Sequence, residues 1–492
     1  MDGLERASGA RTPQKAEAAG SRAITSRTIL VLGDGGREHA LCWRLAGEPG
    51  VERVLVGPGN ALMTDVAEVH PELTETDALG VLALCRGEGV ELVVVGPEAP
   101  LVRGLVDALA AAGIPAVGPS AAAARLEGSK AFAREICGSA GVPMARGETF
   151  TALEPALAFA ATLPAGGCVV KADGLAAGKG VTVCSDLAEA EQALRESLVD
   201  GRFGAAGARV VVEERLLGRE ASLICLCDAT GACLALPAAR DHKRLLDCDG
   251  GPNTGGMGAI SPLEDLDDVL AAVLVRRIHL PVLAELARRG TPFRGALYAG
   301  LMLTAEGPRL LEFNVRLGDP ETQVILPRLA VPLAPLLAAS ATDRLALTAA
   351  ASGIAGPLLP VVPEATVGVI LAAAGYPGRP RGGDPIHGLE AARAAGGLLF
   401  GAGVGLTEGG RSGQGGPSGQ GGPSTAGGRI VTVVGRGASV PLAAEAAYVA
   451  ADRIDFAGLQ RRDDIGRSGQ GSRAAGRSDP STGRGPTVEA RG

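Results

Sequence analysis

Three segments bring together residue types able to handle a nucleotide and a carboxylate. The first runs from Lys171 to Val181, KADGLAAGKGV, and an apolar Cys168-Val169-Val170 delivers it. Gly174, Gly178 and Gly180 allow the backbone to approach an anion closely and turn N–H groups toward phosphate oxygens. Lys171 and Lys179 supply countercharge. The spacing is not the Walker pattern, because Lys179 is followed by Gly180 and Val181 rather than Ser or Thr. A solvated glycine-rich hairpin would have the same composition. The second segment is EFNVRLGDPETQ, Glu312–Gln323. Glu312 and Asn314 alternate along a strand and share a face, which suits Mg²⁺ held by one or two side chains plus substrate phosphates. Arg316 shares that face if the strand continues, and a cation there would offset charge developing in phosphoryl transfer. The bland alternative is an edge strand with a polar outer face. The third segment is GDGGREHA, Gly33–Ala40, which follows a strand and opens a helix. It fails the dinucleotide fingerprint at Glu38 but keeps a helix N-terminus for an anion.

Other segments say less by themselves. Asp241-His242-Lys243-Arg244 reads as a polar loop, Gly96-Pro97-Glu98 as a turn able to meet ribose hydroxyls, and Asn253–Gly258 as a glycine loop. His39, His70, His279 and His387 lack metal-ligand spacing, and the nine cysteines include no C-x-x-C. Buried free thiols in a reducing cytosol are expected rather than disulfides or zinc.

The elements that must hold these segments imply an α/β protein. Strands at Thr28–Leu32, Val54–Val56 and Leu92–Val95 alternate with helical stretches such as Leu101–Ala112, the pattern of an open parallel sheet. Further strands are expected at Arg209–Glu214, along Glu312–Asn314, and at Thr366–Ala372 and Arg429–Val434. The 492 residues suggest several domains. The predicted division is a disordered extension over 1–27, an N-terminal α/β domain over 28–126, a central region over 127–345, and a small α+β C-terminal domain over 346–466. The repeat SGQGGPS marks 408–426 as a disordered insertion, and 467–492 as a disordered tail. A net charge of −7 argues against a nucleic-acid binder. No apolar run reaches membrane-spanning length and no secretory signal is visible, so a cytoplasmic chain is expected.

Taken together, GDGGREHA, VGPGNA, VVGPEAPLVRGLVD, GPSAAAARLEGSKAFAR, VKADGLAAGKGV, EERLLGREASL, DHKR, GPNTGGMGAISP, YAGLML and LEFNVRLGDPETQ occur in an order that resembles the phosphoribosylamine–glycine ligase family of the ATP-grasp superfamily. The resemblance spans about residues 28–330 and continues more weakly to Gly466. It implies ATP-driven joining of glycine to 5-phosphoribosylamine through glycyl phosphate, giving glycinamide ribonucleotide, ADP and phosphate in purine biosynthesis. It implies that Lys130 and Lys171 hold ATP phosphates under a lid loop formed by Gly174–Gly180, within a lid subdomain at about 148–219. Glu214 and Leu216 would flank the adenine hinge and Glu220 the ribose. Glu312 and Asn314 would hold Mg²⁺ or Mn²⁺, with Arg316 neutralising the transferring phosphoryl group. Asp319, Pro320 and Glu321 would place glycine, with Asp241 and Lys243 also at the substrate. Gly35, Gly36, Arg37, Glu38, Asn60 and Glu98 would receive phosphoribosylamine. A monomeric, monofunctional enzyme is expected. Arg215 replaces an aromatic residue frequent in the family after the hinge glutamate. The competing expectations are another ATP-grasp carboxylate–amine ligase or carboxylase, a non-enzymatic nucleotide-binding protein, and a nicotinamide dehydrogenase resting on GDGGREHA alone.

Overall fold

The computed structural model describes residues 27–164, 166–176, 180–406 and 421–467. The expected extension before Arg27, most of the expected insertion, the tail beyond Arg467, and Gly178 and Lys179 lie outside the described residues.

The N-terminal unit is a five-stranded parallel sheet in the order Glu68–Val69, Arg53–Pro58, Thr28–Gly33, Leu92–Val95, Ala116–Val117. Its central strand is apolar on both faces, as a sheet covered on both sides requires. Leu30 and Leu32 enter one core, and Ile29 and Val31 the other. The single helix expected over Leu101–Ala112 is two, Glu98–Val102 and Leu105–Ala111. They part at Gly104, whose φ of 85° leaves the right-handed helical region.

The lid is a four-stranded antiparallel sheet, Gly147–Phe150, Val210–Glu214, Cys168–Ala172, Val181–Cys184, carrying the helices Leu153–Ala160 and Leu187–Leu198. Beside it lies the antiparallel sheet Cys233–Ala235, Arg219–Cys227, Gly295–Thr304, Gly307–Asn314.

The C-terminal sheet runs Arg240–Asp241, Gly258–Ser261, Ala365–Ala372, Arg429–Gly437, Leu398–Gly401. Two of its strands therefore come from the central stretch of chain, and the division expected near residue 346 is not a boundary between sheets. Strand pairing is a tertiary choice that linear composition does not display. For the same reason the expected insertion 408–426 ends sooner. Pro423–Thr425 is a strand paired with Val404–Leu406, and Ser424 and Thr425 are buried.

Candidate functional site

Lys171 projects from the strand Cys168–Ala172 and is buried. Its Nζ lies 2.7 Å from Glu213 Oε2 and donates to the carbonyl of Leu311 at 2.9 Å. Arg134 donates to the other Glu213 oxygen at 2.9 Å. Glu213 thus sits between two cations, and Lys171 is tied to the neighbouring sheet. Lys130 opens the helix Lys130–Ala140, which Ser129 caps by accepting the Phe132 N–H. Asp173, just past Lys171, accepts from Ala131 N–H at 2.7 Å, from Ser129 Oγ at 3.0 Å and from Arg209 Nε at 2.8 Å. The start of the glycine loop is thereby fastened to that helix N-terminus. Lys130 Nζ reaches the Gly174 carbonyl at 3.5 Å. Burial, with Lys171 close by, lowers the Lys130 ammonium below the usual lysine range. Gly174 and Gly180 have no room for a side chain, since a Cβ would lie 2.7 Å from Ala206 Cβ and 2.8 Å from Ala176 Cβ respectively.

Glu312 stands on the strand Gly307–Asn314. Burial opposes its ionisation, but Lys243, Lys171, Lys130 and Arg316 overcome this and hold the carboxylate below its usual range. Four cations therefore converge on Glu312, and three of them have further carboxylate partners: Lys171 pairs with Glu213, Lys243 with Glu220, and Arg316 with Glu127 and Glu98. In such a cluster of alternating charge a polyphosphate can take the place of a carboxylate partner. Glu312 and Asn314 offer hard oxygen donors that fit Mg²⁺ or Mn²⁺. Among the described residues no group of three or more His, Cys, Asp or Glu could hold a metal alone.

Arg316 lies beyond the strand end. Its Nη2 is 3.2 Å from Glu127 Oε1 and its Nε 3.5 Å from Glu98 Oε2, which ties the site to the N-terminal unit. Its Nη2 is also 3.4 Å from Asn314 Oδ1. Asp319 pairs with Arg429 at 2.8 Å and accepts from Gln323 Nε2 at 2.7 Å. A Cβ on Gly35 would lie 3.4 Å from Asp319 Oδ2, so three units of the chain meet at this carboxylate. Glu321 accepts from Ser222 Oγ and from Tyr298 OH, each at 2.8 Å. Asp241 Oδ1 is buried without a hydrogen-bond partner. Burial, then the nearby Glu321, raises the Asp241 carboxyl well above its usual range. Pro320 and Asp241 crowd Gly256, where a Cβ would lie 2.5 Å from Pro320 Cδ and 2.6 Å from Asp241 Oδ1.

Several residues have local tasks that sequence reading did not anticipate. Glu38 folds back onto its own turn, accepting the Gly35 N–H at 2.9 Å and pairing with Arg37 at 2.6 Å. It also explains Gly96, where a Cβ would lie 1.9 Å from Glu38 Oε1. Both amide donations of Asn60 go to backbone carbonyls, Asp34 at 2.7 Å and Gly401 at 2.8 Å, joining the N- and C-terminal units. Glu214 accepts the Arg146 N–H at 2.8 Å, Leu216 is half-buried and Arg215 is exposed. Glu220 pairs with Lys243 at 2.8 Å. Glu127, Asp173, Glu213 and Arg429 were missed. Glu213 was within reach of strand alternation, since it precedes Glu214 and faces opposite to it. Arg429 has no signal, because 110 residues separate it from Asp319.

Family models of phosphoribosylglycinamide synthetase match the N domain at residues 27–127, the ATP-grasp domain at 128–322 and the C domain at 366–468. The chain belongs to the phosphoribosylglycinamide synthetase family. A phosphoribosylamine–glycine ligase of Mesorhizobium japonicum is 44% identical over 436 residues, 88% of this chain and 97% of that one. The crystal structure of the phosphoribosylamine–glycine ligase of Thermotoga maritima aligns with a TM-score of 0.70 at 30% identity, covering 89% of this chain and 99% of that one. A biotin carboxylase from Campylobacter jejuni shares the fold, with a TM-score of 0.62 at 17% identity over 89% of this chain and 93% of that one. In the family's terms, the four-cation cluster lies in the ATP-grasp unit, the Gly33–Glu38 turn in the N unit and Arg429 in the C unit. Among the described residues no helix is long and apolar enough to cross a membrane.

Proposed function

We propose that this chain ligates glycine to 5-phosphoribosylamine at the expense of ATP, and that the cluster around Glu312 is where the phosphoryl group moves. The observation that carries this reading is the convergence of Lys130, Lys171, Lys243 and Arg316 on the buried carboxylate Glu312, linked through Arg316 to Glu98 of the N-terminal unit. Lys130 and Lys171 hold the ATP phosphates beneath the loop that starts at Asp173. Leu216 and the Glu214 backbone border the adenine, and Glu220 the ribose. Glu312 and Asn314 hold the Mg²⁺ or Mn²⁺ that neutralises phosphate charge.

Asp319, Pro320 and Glu321, with Asp241 and Lys243 across from them, place the amino acid. A glycine carboxylate oxygen attacks the terminal phosphorus, its P–O bond forms, and the bond to ADP breaks. Arg316 stabilises the charge on the moving group. The amine of phosphoribosylamine then attacks the acyl carbon and loses a proton, and the C–O bond to phosphate breaks. Gly35, Gly36 and Arg37 receive the sugar phosphate, with Glu38 and Asn60 shaping that turn and Glu98 facing the bound amine donor. Loop closure keeps water from glycyl phosphate. The chain acts as a monomer.

Phosphate release is measured with ATP, Mg²⁺, glycine and phosphoribosylamine, omitting each in turn. Release only with the full set is expected. Equal release with bicarbonate in place of glycine would overturn the reading in favour of a carboxylase.

A further inference from the structure

The chain has nine cysteines, all free, and the ligation chemistry uses none of them. Two pairs face each other across adjacent antiparallel strands: Cys168 opposite Cys184, and Cys227 opposite Cys233. Directly opposed residues in such a ladder place their Cα atoms about 4.5–5.5 Å apart, inside the roughly 4.4–6.8 Å that a disulfide spans. The surroundings of the two pairs differ. Cys168 and Cys184 are 3% and 0% exposed, inside the lid's apolar core. Cys233 begins an edge strand and is half-buried, the one member of the two pairs that is not fully buried. Cys227 Sγ donates to Cys233 Sγ at 3.7 Å. Cys225, two residues earlier on the same face as Cys227, stands opposite Ala235 in the same ladder. Two fully buried thiols thus lie beside the half-buried one.

We propose that Cys233 and Cys227 form a hydroperoxide-responsive thiol pair, with Cys225 beside them as a reserve resolving thiol. Thiol donation from Cys225 and then Cys227 pulls the Cys233 thiol well below its usual range, whereas burial raises Cys225 and Cys227. Cys233 is assigned the attacking role because it alone of the three is not fully buried, and the direction of its thiol agrees, since the thiolate is the nucleophile. Cys233 sulfur attacks one peroxide oxygen. An S–O bond forms, the O–O bond breaks, and the departing oxygen takes a proton to leave as water or an alcohol. Cys227 then loses its proton and attacks the Cys233 sulfenic acid. The S–S bond forms, the S–O bond breaks and water leaves. The two thiols supply the two electrons that reduce the peroxide, and a dithiol reverses the change. The pair ends the strand that begins at Arg219, roughly 24 Å along it from Glu220 at about 3.4 Å per residue. It is therefore a modification site separate from the ATP cluster.

Trypsin cleavage after Arg219 and Arg240 releases Glu220–Arg240 with all three thiols in one peptide. The native protein is treated with hydrogen peroxide, quenched in acid, unfolded and alkylated with iodoacetamide. Expected is a peptide lighter by two hydrogens that takes one alkyl group instead of three, while Cys168 and Cys184 remain alkylatable. C225S should still close the bridge, and C233S should lose it while keeping ligase turnover within about twofold. In C227A, either dimedone labels Cys233 or Cys225 closes onto it. A peptide that still takes three alkyl groups when exposed Cys248 is fully oxidised would overturn the proposal. So would C233S closing a bridge as readily as the parent.

Discussion

The lid and the central sheet both contribute to the same cluster of charges, yet they are held in opposite ways. The lid's buried apolar cluster is its own, built from small residues such as Ala156, Ala190, Ala193, Val170 and Val212, and it includes no residue of another unit. The strand bearing Glu312 packs through Leu310, Phe313 and Val315 into a core shared with Leu30 and Leu32 of the N-terminal sheet. Polar contacts secure the lid instead: Lys171 to the Leu311 carbonyl, Arg134 to Glu213, and Asp173 to Ser129 and Ala131. Such contacts can be remade with water or phosphate without exposing apolar surface. One site therefore joins a wall packed into a shared core to a wall held to it by polar contacts.

The sharpest test of the core-packed wall is Glu312→Gln, which preserves shape but removes the carboxylate on which four cations converge. Phosphate release should fall about 10²–10³-fold, with thermal stability barely altered. A loss below tenfold would detach Glu312 from the chemistry. For the wall held by polar contacts, Lys171→Met should raise the KM for ATP by about 10–100-fold, the worth of a hydrogen bond to a charged group. Amide exchange should accelerate at Val170 and Val212 but not at Leu30 and Val31. Acceleration in both places would show that the two walls are not independent.

Acid separates them as well. Burial, with Arg393 adding, lowers His39 to about 4, and burial, with Arg462 adding, lowers His242 to about 4. Between the unfolded value near 6.5 and these folded values the unfolded chain binds more protons, so stability is full above about pH 6.5 and declines as pH falls toward 4. Each imidazole should cost about 1.5 kcal/mol between pH 6.5 and 5. Residues 148–219 contain no histidine, so exchange measurements should find the body loosened at pH 5 and the lid unchanged by this cause. The smallest effect is expected for Glu191→Ala on the lid helix. Its pair with Arg195 is about half exposed, and the loss should be about 0.3–0.5 kcal/mol in urea unfolding. A loss above 1 kcal/mol would mean the lid depends on surface charge more than its core suggests.

Much of this arrangement was legible without coordinates. Glu312 and Asn314 stand on a strand, as alternation requires, and the run from Lys171 begins on one. The parallel N-terminal sheet follows from apolar strands alternating with helices. Illegible were the partners that restrain the site residues. Glu38 and Asn60 have residue types suited to a ligand, yet their polar atoms bond local or distant backbone, which depends on where chain hundreds of residues away returns. Arg429 sits just after a low-complexity tract and gives no hint that it pairs with Asp319.

The chain by itself determined chemistry and local geometry: glycines where backbone must crowd, lysines for phosphate, a strand that puts a carboxylate and an amide on one face. These follow from covalent structure and short-range sterics, which operate within a few residues. The tertiary structure alone decided that four cations would converge on Glu312, that strands from the central stretch would complete the C-terminal sheet, and that two cysteine pairs would face each other with only one of them including a half-buried member. Each of these depends on long-range pairing, where burial and register are settled by the whole fold.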